Sequence, residues 1–196
     1  NRARIAVEVV DAIHAKCGRD FPIEFRFSGD DFMENGAHID EMKEFARIMD
    51  GKVNILHVSA SSFYNLEGGV SRMIPSMFLP HGVNAHLARE IKSVVTKSKV
   101  AAVGSLTVDQ MEKILADGEA DLVAAARAFF ADPFWPRKAE SGCGDDITPC
   151  VRCNVCISGN YVPFVPWPYG LRRCTVNPKI GMEWEQNIQR RPVAKR

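Results

Sequence analysis

Val100-Ala101-Ala102-Val103-Gly104-Ser105 is the stretch that decides the fold class. Its nearly unbroken apolar run is typical of a β-strand that is covered on both faces, as the strands of parallel sheets are. Thr107 follows as a suitable N-cap for a helix over 108–116, and Gly118 is a suitable residue to end that helix. A strand that leads directly into a helix is the repeating unit of α/β folds with a parallel sheet.

The same alternation continues on both sides of this stretch. Hydrophobic periodicity predicts helices over 4–16, 40–49 and 84–96, strands over 21–28 and 53–60, and a fourth strand over 121–127. Strands that alternate with helices in this way predict an α/β protein with a parallel sheet. Four such units equal half of an eight-stranded (β/α)8 TIM barrel, and a small doubly wound sheet would give the same pattern.

Two parts of the chain depart from this alternation. The connection over 61–82 is longer than usual, which indicates either a functional loop or partial disorder. After Asp132-Pro133 the periodicity stops and most of the prolines follow. We therefore predict a half-barrel over 1–133, a cysteine-rich lobe over 134–183 and a charged linker over 184–196.

The lobe contains the most specific motif of the chain, Cys150-Val151-Arg152-Cys153-Asn154-Val155-Cys156, with Cys174 further on. Three thiols at intervals of three residues can converge on one centre, and the fourth completes a shell of the kind that holds an iron–sulfur cluster. Zinc is an alternative, although its usual signature is two separated Cys-x2-Cys pairs. Structural or paired cysteines are a further alternative. Cys17 and Cys143 have no partner motif.

Composition excludes several classes of function. The 196 residues are 46% hydrophobic and carry 25 basic and 24 acidic side chains. The length is enough for a domain with its own core, and the balanced charge gives no electrostatic footprint for nucleic acid or an anionic membrane. The sequence has no apolar run long enough to span a membrane and no signal peptide at its N-terminus. We expect a soluble, cytoplasmic protein with reduced thiols.

Residues at the carboxyl ends of the predicted strands are the candidates for ligand binding, since ligands of parallel β/α folds bind at that edge. Gly104 would let the backbone approach a ligand, and Ser105 precedes a helix N-terminus, which favours phosphate. Arg127 would supply the matching cation. These three residues together predict a phosphate site.

Three further side chains have both a functional and a structural interpretation. Arg26 either reaches a bound anion or an electron-rich ring, or it forms an ion pair with Glu24 or Asp30. Tyr64 is able to donate a proton, but a tyrosine in a loop more often only packs. His57 lies inside a predicted strand, where packing with one hydrogen bond is a simpler interpretation than catalysis.

Nearly the whole chain resembles the old yellow enzyme family. The resemblance is carried by Phe21-Pro22-Ile23-x-x-Arg26-x-Ser28, His57-Val58-Ser59-Ala60, Val103-Gly104, Ala120-Asp121-Leu122-Val123-x-x-x-Arg127-x-x-x-x-Asp132-Pro133, Cys150-x2-Cys153 and Cys174-x-Val176-Asn177-Pro178. It is similar in particular to the iron–sulfur branch that includes 2,4-dienoyl-CoA reductase, 2-enoate reductase and trimethylamine dehydrogenase. The cysteine lobe after an Arg-x4-Asp-Pro segment is the specific part of the match.

The resemblance implies a (β/α)8 barrel that binds FMN, of which this chain would hold strands five to eight. Arg26 would contact the flavin pyrimidine, and the FMN phosphate would be bound by Gly104, Ser105, Ala126 and Arg127. A [4Fe–4S] cluster would be bound by Cys150, Cys153, Cys156 and Cys174. Tyr64 stands where the dienoyl reductases have a proton-relay histidine. The gaps between the later cysteines, two and seventeen residues, differ from those of the reductases.

The implied function is an ene-reductase that passes electrons from NAD(P)H through the cluster to FMN and reduces an activated C=C bond of a small-molecule substrate. An amine dehydrogenase is the alternative within the resemblance, and a non-catalytic module with zinc on four thiolates is the alternative outside it. The resemblance also implies a fragment. An N-terminal half-barrel and C-terminal domains for FAD and NAD(P)H would be its partners, and we expect the exposed sheet edges to make the chain associate.

Overall fold

The structure, a computed structural model, describes residues 2–63, 69–158 and 174–181. Its strands are β1 (Glu24–Ser28), β2 (Ile55–Ser59), β3 (Lys99–Val103) and β4 (Leu122–Ala124). Its helices are α1 (Arg4–Cys17), α2 (Ile39–Met49), α3 (Gly69–Met73), α4 (Ala85–Lys92), α5 (Val108–Ala116), α6 (Arg127–Ala131), α7 (Trp135–Glu140) and α8 (Val155–Ser158), with a 3-10 turn at Gly144–Asp146. Strands and helices alternate from α1 to α6, as the periodicity predicts.

The strands form one parallel sheet in the order β1-β2-β3-β4. In a doubly wound sheet the strand order reverses at a switch point, whereas around a barrel each strand follows its predecessor in the chain. The observed order is therefore that of a barrel wall. The register aligns Arg26 with His57, His57 with Ala101, and Ala101 with Leu122 across the sheet.

The two faces of the sheet differ in chemistry because successive side chains of a strand point to opposite faces. One face carries Phe25, Leu56 and Val100, which belong to the hydrophobic core together with residues of α1, α2, α4 and α5. The other face carries the row from Arg26 to Leu122. Arg26 is exposed and Leu122 is 38% exposed. The core helices therefore cover one face, whereas the sequence predicted strands covered on both.

Helix α5 has its predicted bounds, 108–116, and hydrogen bonds between neighbouring residues explain where it begins. The Thr107 hydroxyl accepts the N–H of Gln110 at 3.2 Å, and the Gln110 side chain accepts the N–H of Thr107 at 3.1 Å. This capping box satisfies donors that a helix N-terminus otherwise leaves unpaired. Gly118, with φ +68°, follows the end of α5 in a conformation that costs glycine little.

Two of the predicted elements end earlier than the sequence predicts. Helix α4 ends at Lys92 instead of residue 96, and the N–H groups of Thr96, Lys97 and Ser98 donate to the carboxylate of Asp50. The predicted strand over 121–127 ends at Ala124, and the N–H of Phe130 already donates to the carbonyl of Ala126. Arg127 is thus the first residue of α6 and not the end of a strand.

The chain forms two compact units, Asn1–Ala125 and Ala126–Arg196. The first contains the sheet and α1 to α5, and the second contains α6 to α8 with the cysteine motif. The sequence predicted a change of architecture slightly later, after Asp132-Pro133. The long connection over 61–82 contains α3, and its residues 64–68 lie outside the described ranges. In the parts of the chain that are described, no helix is long and apolar enough to cross a membrane.

Candidate functional site

Arg26 lies on the face of the sheet opposite the core helices. It is two residues before Ser28, which ends β1 and pairs with Ser59 at the end of β2. Its Nη2 donates to Ser59 Oγ at 3.1 Å. Within the described ranges it forms no ion pair with Glu24 or Asp30, because Glu24 contacts His57 and Asp30 accepts the N–H of Phe32 at 2.6 Å. The ion-pair interpretation of Arg26 is therefore wrong for this structure. An exposed guanidinium that Ser59 directs toward the strand ends is compatible with a ligand at that edge.

His57 is buried in the same row, and its Nδ1 lies 2.5 Å from Glu24 Oε1. A carboxylate accepts hydrogen bonds and does not donate them, so Nδ1 carries the proton. Nε2 is buried and has no hydrogen-bond partner among the described residues. One hydrogen bond within the packed sheet is what the structural interpretation of His57 predicts.

Gly104 directly follows β3 and has φ +153°, a backbone conformation that residues with a side chain rarely adopt. A Cβ built on it would meet no described atom within 4 Å, so the backbone borders open space. Glycine at the end of a strand with open space beside it allows close approach of a ligand. This geometry is compatible with the phosphate role that the sequence predicts.

Ser105 is held by two neighbours, His81 and Gly82, whose contact with it no sequence motif predicts. Its carbonyl accepts the N–H of Gly82 at 2.9 Å and the Nδ1–H of His81 at 2.8 Å. In a trans peptide the C=O and the following N–H point in opposite directions. His81 and Gly82 therefore direct the N–H of Leu106 away from themselves. No spacing rule indicates such a contact, because it joins two loops.

Arg127, in the second unit, contacts the cysteine motif. Its Nη1 donates to Asn154 Oδ1 at 2.5 Å, and Asn154 lies between Cys153 and Cys156 in the chain. Burial lowers the pKa of Arg127, and the negative charge of the Cys150 and Cys156 thiolates acts against that decrease. An arginine side chain stays charged under these conditions because its ordinary pKa lies above about 12.

The predicted FMN phosphate site combines residues of both units. Gly104 and Ser105 belong to the first unit, whereas Ala126 and Arg127 open the second. Ala126 occupies the N-cap position of α6. The joint site of these four residues stays a prediction. Tyr64, the predicted proton donor, lies outside the described residues.

The cysteine motif has an unusual backbone. Arg152 and Asn154 have φ values of +54° and +60°. Asparagine tolerates this left-handed conformation better than arginine does, so the turn at Arg152 stores strain. The N–H of Arg152 lies 3.4 Å from Cys150 Sγ, and Cys153 Sγ lies 3.0 Å from Thr175 Oγ1. The second contact joins the loop to the segment that begins at Cys174.

The thiols of the motif influence one another. The hydrogen bond from Thr175, followed by the N–H of Val155, lowers the pKa of Cys153. Burial raises the pKa of Cys156, and the charges of Cys150, Cys174 and Cys153 raise it further. Cys156 is thus the predicted ligand on which the charges of the other three act. No group of three or more Cys, His, Asp or Glu side chains within 2–63, 69–158 and 174–181 is arranged to hold a metal ion.

Helix α6 and its cap fasten the segments around the thiols. The carbonyl of Phe130 accepts Nδ2–H of Asn177 at 2.8 Å, three residues after Cys174. Asp132 is buried and accepts the Lys138 ammonium at 2.6 Å and the N–H of Thr148 at 3.1 Å, two residues before Cys150. The sequence identifies Asp132 and Asn177 only as motif positions, because their contacts depend on the folded loop.

The contacts of Asp132 stabilise the negative charge of its buried carboxylate. Burial raises the pKa of its carboxyl, but the Lys138 ammonium and the N–H groups of Thr148 and Phe134 outweigh burial and hold the pKa below its ordinary value. The carboxylate form is thus the one that fits the fold. Replacement of this side chain would release the segment that leads into Cys150.

The fold relates the chain to known oxidoreductases. A 2-naphthoyl-CoA reductase in complex with 2-naphthoyl-CoA matches the whole chain with a TM-score of 0.85 and 26% identity, over 28% of its own length. Histamine dehydrogenase from Rhizobium sp. 4-9 matches 91% of the chain with a TM-score of 0.78 and 28% identity, over 24% of its length. These likenesses and the strand order confirm the predicted fold class, a (β/α)8 barrel of which this chain forms a part.

The sequence comparison gives the family. A profile of the NADH:flavin oxidoreductase / NADH oxidase family matches residues 1–146. NADH oxidase from Thermoanaerobacter brockii is 39% identical over 200 aligned positions, which cover 100% of this chain and 29% of that protein. The chain belongs to the NADH:flavin oxidoreductase / NADH oxidase family, and the predicted resemblance is confirmed at that level.

Proposed function

We propose that this chain is part of an ene-reductase that uses FMN and a [4Fe–4S] cluster to reduce an activated C=C bond with electrons from NAD(P)H. Membership of a flavin oxidoreductase family supports the flavin. The observation that carries the cluster is the contact network of the cysteine unit, in which Cys153 contacts Thr175 next to Cys174 and α6 binds both cysteine segments. FAD and NAD(P)H would bind to parts of the protein beyond this chain.

The donor set fits a cluster better than a single ion. A zinc site brings all its sulfur atoms to about 2.3 Å from one centre. In a cluster each thiolate bonds to a different iron atom, so the thiols stand farther apart around a larger body. The Cys150-x2-Cys153-x2-Cys156 run with a distant Cys174 favours the second case, because zinc sites usually have two separated Cys-x2-Cys pairs. Cys150, Cys153, Cys156 and Cys174 would hold the cluster, which supplies one-electron transfer when bound.

The chain's other residues would bind and orient the flavin, which supplies hydride chemistry when bound. Gly104 and Ser105 would provide backbone donors for the phosphate, with Ala126 and Arg127 beside them. Arg26 would stabilise negative charge at the pyrimidine edge, since the Ser59 hydroxyl holds its guanidinium near the strand ends. Tyr64 would donate the proton that the substrate carbon requires.

The test is the metal and flavin content of the full-length protein, purified without oxygen. We expect about four irons and four acid-labile sulfides per chain, together with FMN. Cys153→Ala should lose most of the iron, whereas Cys143→Ala, a change of an exposed cysteine in the same unit, should keep it. One zinc per chain without iron or flavin would refute the proposal and favour a non-catalytic module.

An amine dehydrogenase is the second candidate, because the fold matches histamine dehydrogenase as well as a 2-naphthoyl-CoA reductase. The two activities differ in the direction of electron flow. We expect dithionite-reduced enzyme to be reoxidised by a 2-enoate, and we expect histamine to leave the oxidised flavin spectrum unchanged. Bleaching of the flavin by an amine, without oxidation by a 2-enoate, would favour the amine dehydrogenase.

A further inference from the structure

The guanidinium of Arg127 points at the cysteine motif, although the resemblance assigns Arg127 to the FMN phosphate. It donates to the side chain of Asn154, the residue between Cys153 and Cys156. It is half-buried, and the charges of Cys150, Cys156 and Cys153 act on it. An arginine that binds the loop of three predicted cluster ligands requires an explanation beyond contact with a phosphate.

Charge gives that explanation once the proposed cluster is present. Four thiolates around a doubly positive iron–sulfur core leave a dianion, and uptake of one electron makes it a trianion. A nearby cation stabilises the trianion more than the dianion, because the Coulomb energy grows with the product of the charges. Partial burial strengthens this interaction, and hydrogen bonding and local charge are known levers on cluster potentials.

The hydrogen bond to Asn154 adds a positional effect. Asn154 has φ +60°, a left-handed conformation that asparagine tolerates, and it forms the turn between Cys153 and Cys156. The bond from Arg127 holds the Asn154 side chain in place and ties the turn to α6. The same helix also holds the Cys174 segment through Phe130 and Asn177. Arg127 thus holds the turn between Cys153 and Cys156, and Phe130 of the same helix holds the segment that begins at Cys174.

We propose that Arg127 is a positioning residue of the cluster, which raises the cluster's reduction potential through its charge and holds the Cys153–Cys156 turn through Asn154. This inference rests on the proposed function. It gives Arg127 a role beside the predicted contact with phosphate, and it makes the cluster easier to reduce.

The experiment is an anaerobic redox titration of the full-length protein at one pH, with the reduced cluster followed by electron paramagnetic resonance. We expect Arg127→Gln to lower the midpoint potential and Arg127→Lys, which keeps the charge, to lower it less. Arg137→Gln removes the same charge from an exposed position in α7 and should leave the potential unchanged. This readout requires neither substrate nor turnover.

Four outcomes separate this inference from the proposed function. Wild-type protein without iron would refute the proposed function itself. An iron-loaded Arg127→Gln protein with the wild-type potential would overturn only the role of Arg127, even if that protein had lost FMN. Equal shifts in the Gln and Lys variants would overturn it as well. If Arg127→Gln loses the cluster, retention in Arg127→Lys supports the inference and loss in both overturns it.

Discussion

Gly104 shows how much a single residue contributes to the candidate flavin site. Its φ of +153° excludes most side chains on backbone grounds, and the space beside it is open. Gly118 has φ +68° and open space too, but it follows helix α5. The two glycines therefore share a conformational constraint and differ in location, which makes them a matched pair.

We expect Gly104→Ala and Gly118→Ala each to lower the free energy of unfolding by about 1–2 kcal/mol, because alanine is strained at positive φ. Only Gly104→Ala should reduce bound FMN, since its methyl group would occupy the side from which the phosphate approaches. Flavin content of the purified full-length variants checks this expectation. Normal FMN in Gly104→Ala, or equal loss in both variants, would contradict it.

Residue identities could be predicted better than their contacts. Arg26 and Arg127 stand out as arginines near the ends of predicted strands, and the spacing of the cysteines predicts a four-thiol site. The bonds from Arg26 to Ser59 and from Arg127 to Asn154 could not be predicted, because they depend on side-chain rotamers and on a left-handed turn at Asn154. The contact of His81 with Ser105 joins two loops and leaves no periodic signal.

At the scale of elements, the Asp50 carboxylate joins the end of α2 to the start of β3. It accepts the N–H groups of Ser98, Lys97 and Thr96 at 2.8, 2.9 and 3.0 Å. Burial raises the pKa of Asp50, but these N–H donors outweigh it and the pKa lies below its ordinary value of 3.8. The ionised carboxylate is therefore the form that stabilises the fold.

This direction of the shift fixes the pH dependence. A depressed carboxyl pKa gives stabilisation that is complete above the unfolded-state pKa and disappears as pH falls through the folded-state pKa. We expect Asp50→Asn to lower the free energy of unfolding by about 1–2 kcal/mol at pH 7, with the deficit shrinking as pH falls through the depressed pKa of Asp50. Urea denaturation of the chain at several pH values, followed by circular dichroism, measures both.

Asp20→Asn is the control, because Asp20 is exposed and the same change there should have little effect at any pH. A deficit for Asp50→Asn that does not shrink as the solution is acidified would show that its charge is not responsible. The Asp50 contact also explains an error of prediction. Helix periodicity extends to residue 96, but the N–H of Thr96 binds Asp50 and is not available to a helix.

On the scale of the whole molecule, the sheet has two open edges. In the described part of the chain β1 and β4 each pair with one neighbour, and Arg26 is exposed on the face opposite the core helices. Strand edges present unpaired N–H and C=O groups to solvent. The chain also spans only 29% of the length of the NADH oxidase that it resembles.

We expect the isolated chain of 196 residues to associate in solution through these edges. Light scattering after gel filtration should give a mass above the 21.8 kDa of one chain. Addition of a polypeptide with the preceding part of the full-length protein should reduce this self-association by pairing with β1. A monodisperse monomer at high concentration would count against the expectation.

The overall fold could be predicted further than its details. The alternation of strands and helices is compatible with both a half-barrel and a doubly wound sheet. Strand order, which is a long-range property, distinguishes the two folds. The periodic segments around Val100 and Leu87 reveal the core because they bury side chains on a regular face. The second unit consists of short helices and turns without hydrophobic periodicity. The sequence therefore predicts its cysteine motif but not its helices.

The sequential strand order has a consequence for biosynthesis. Each new strand pairs with the strand made just before it, so every docking edge already exists when the next βα unit leaves the ribosome. This order allows the region to fold in the direction of translation. Pairing with the preceding strand also keeps each loop as short as a parallel connection allows, which limits the entropy lost when the loop closes.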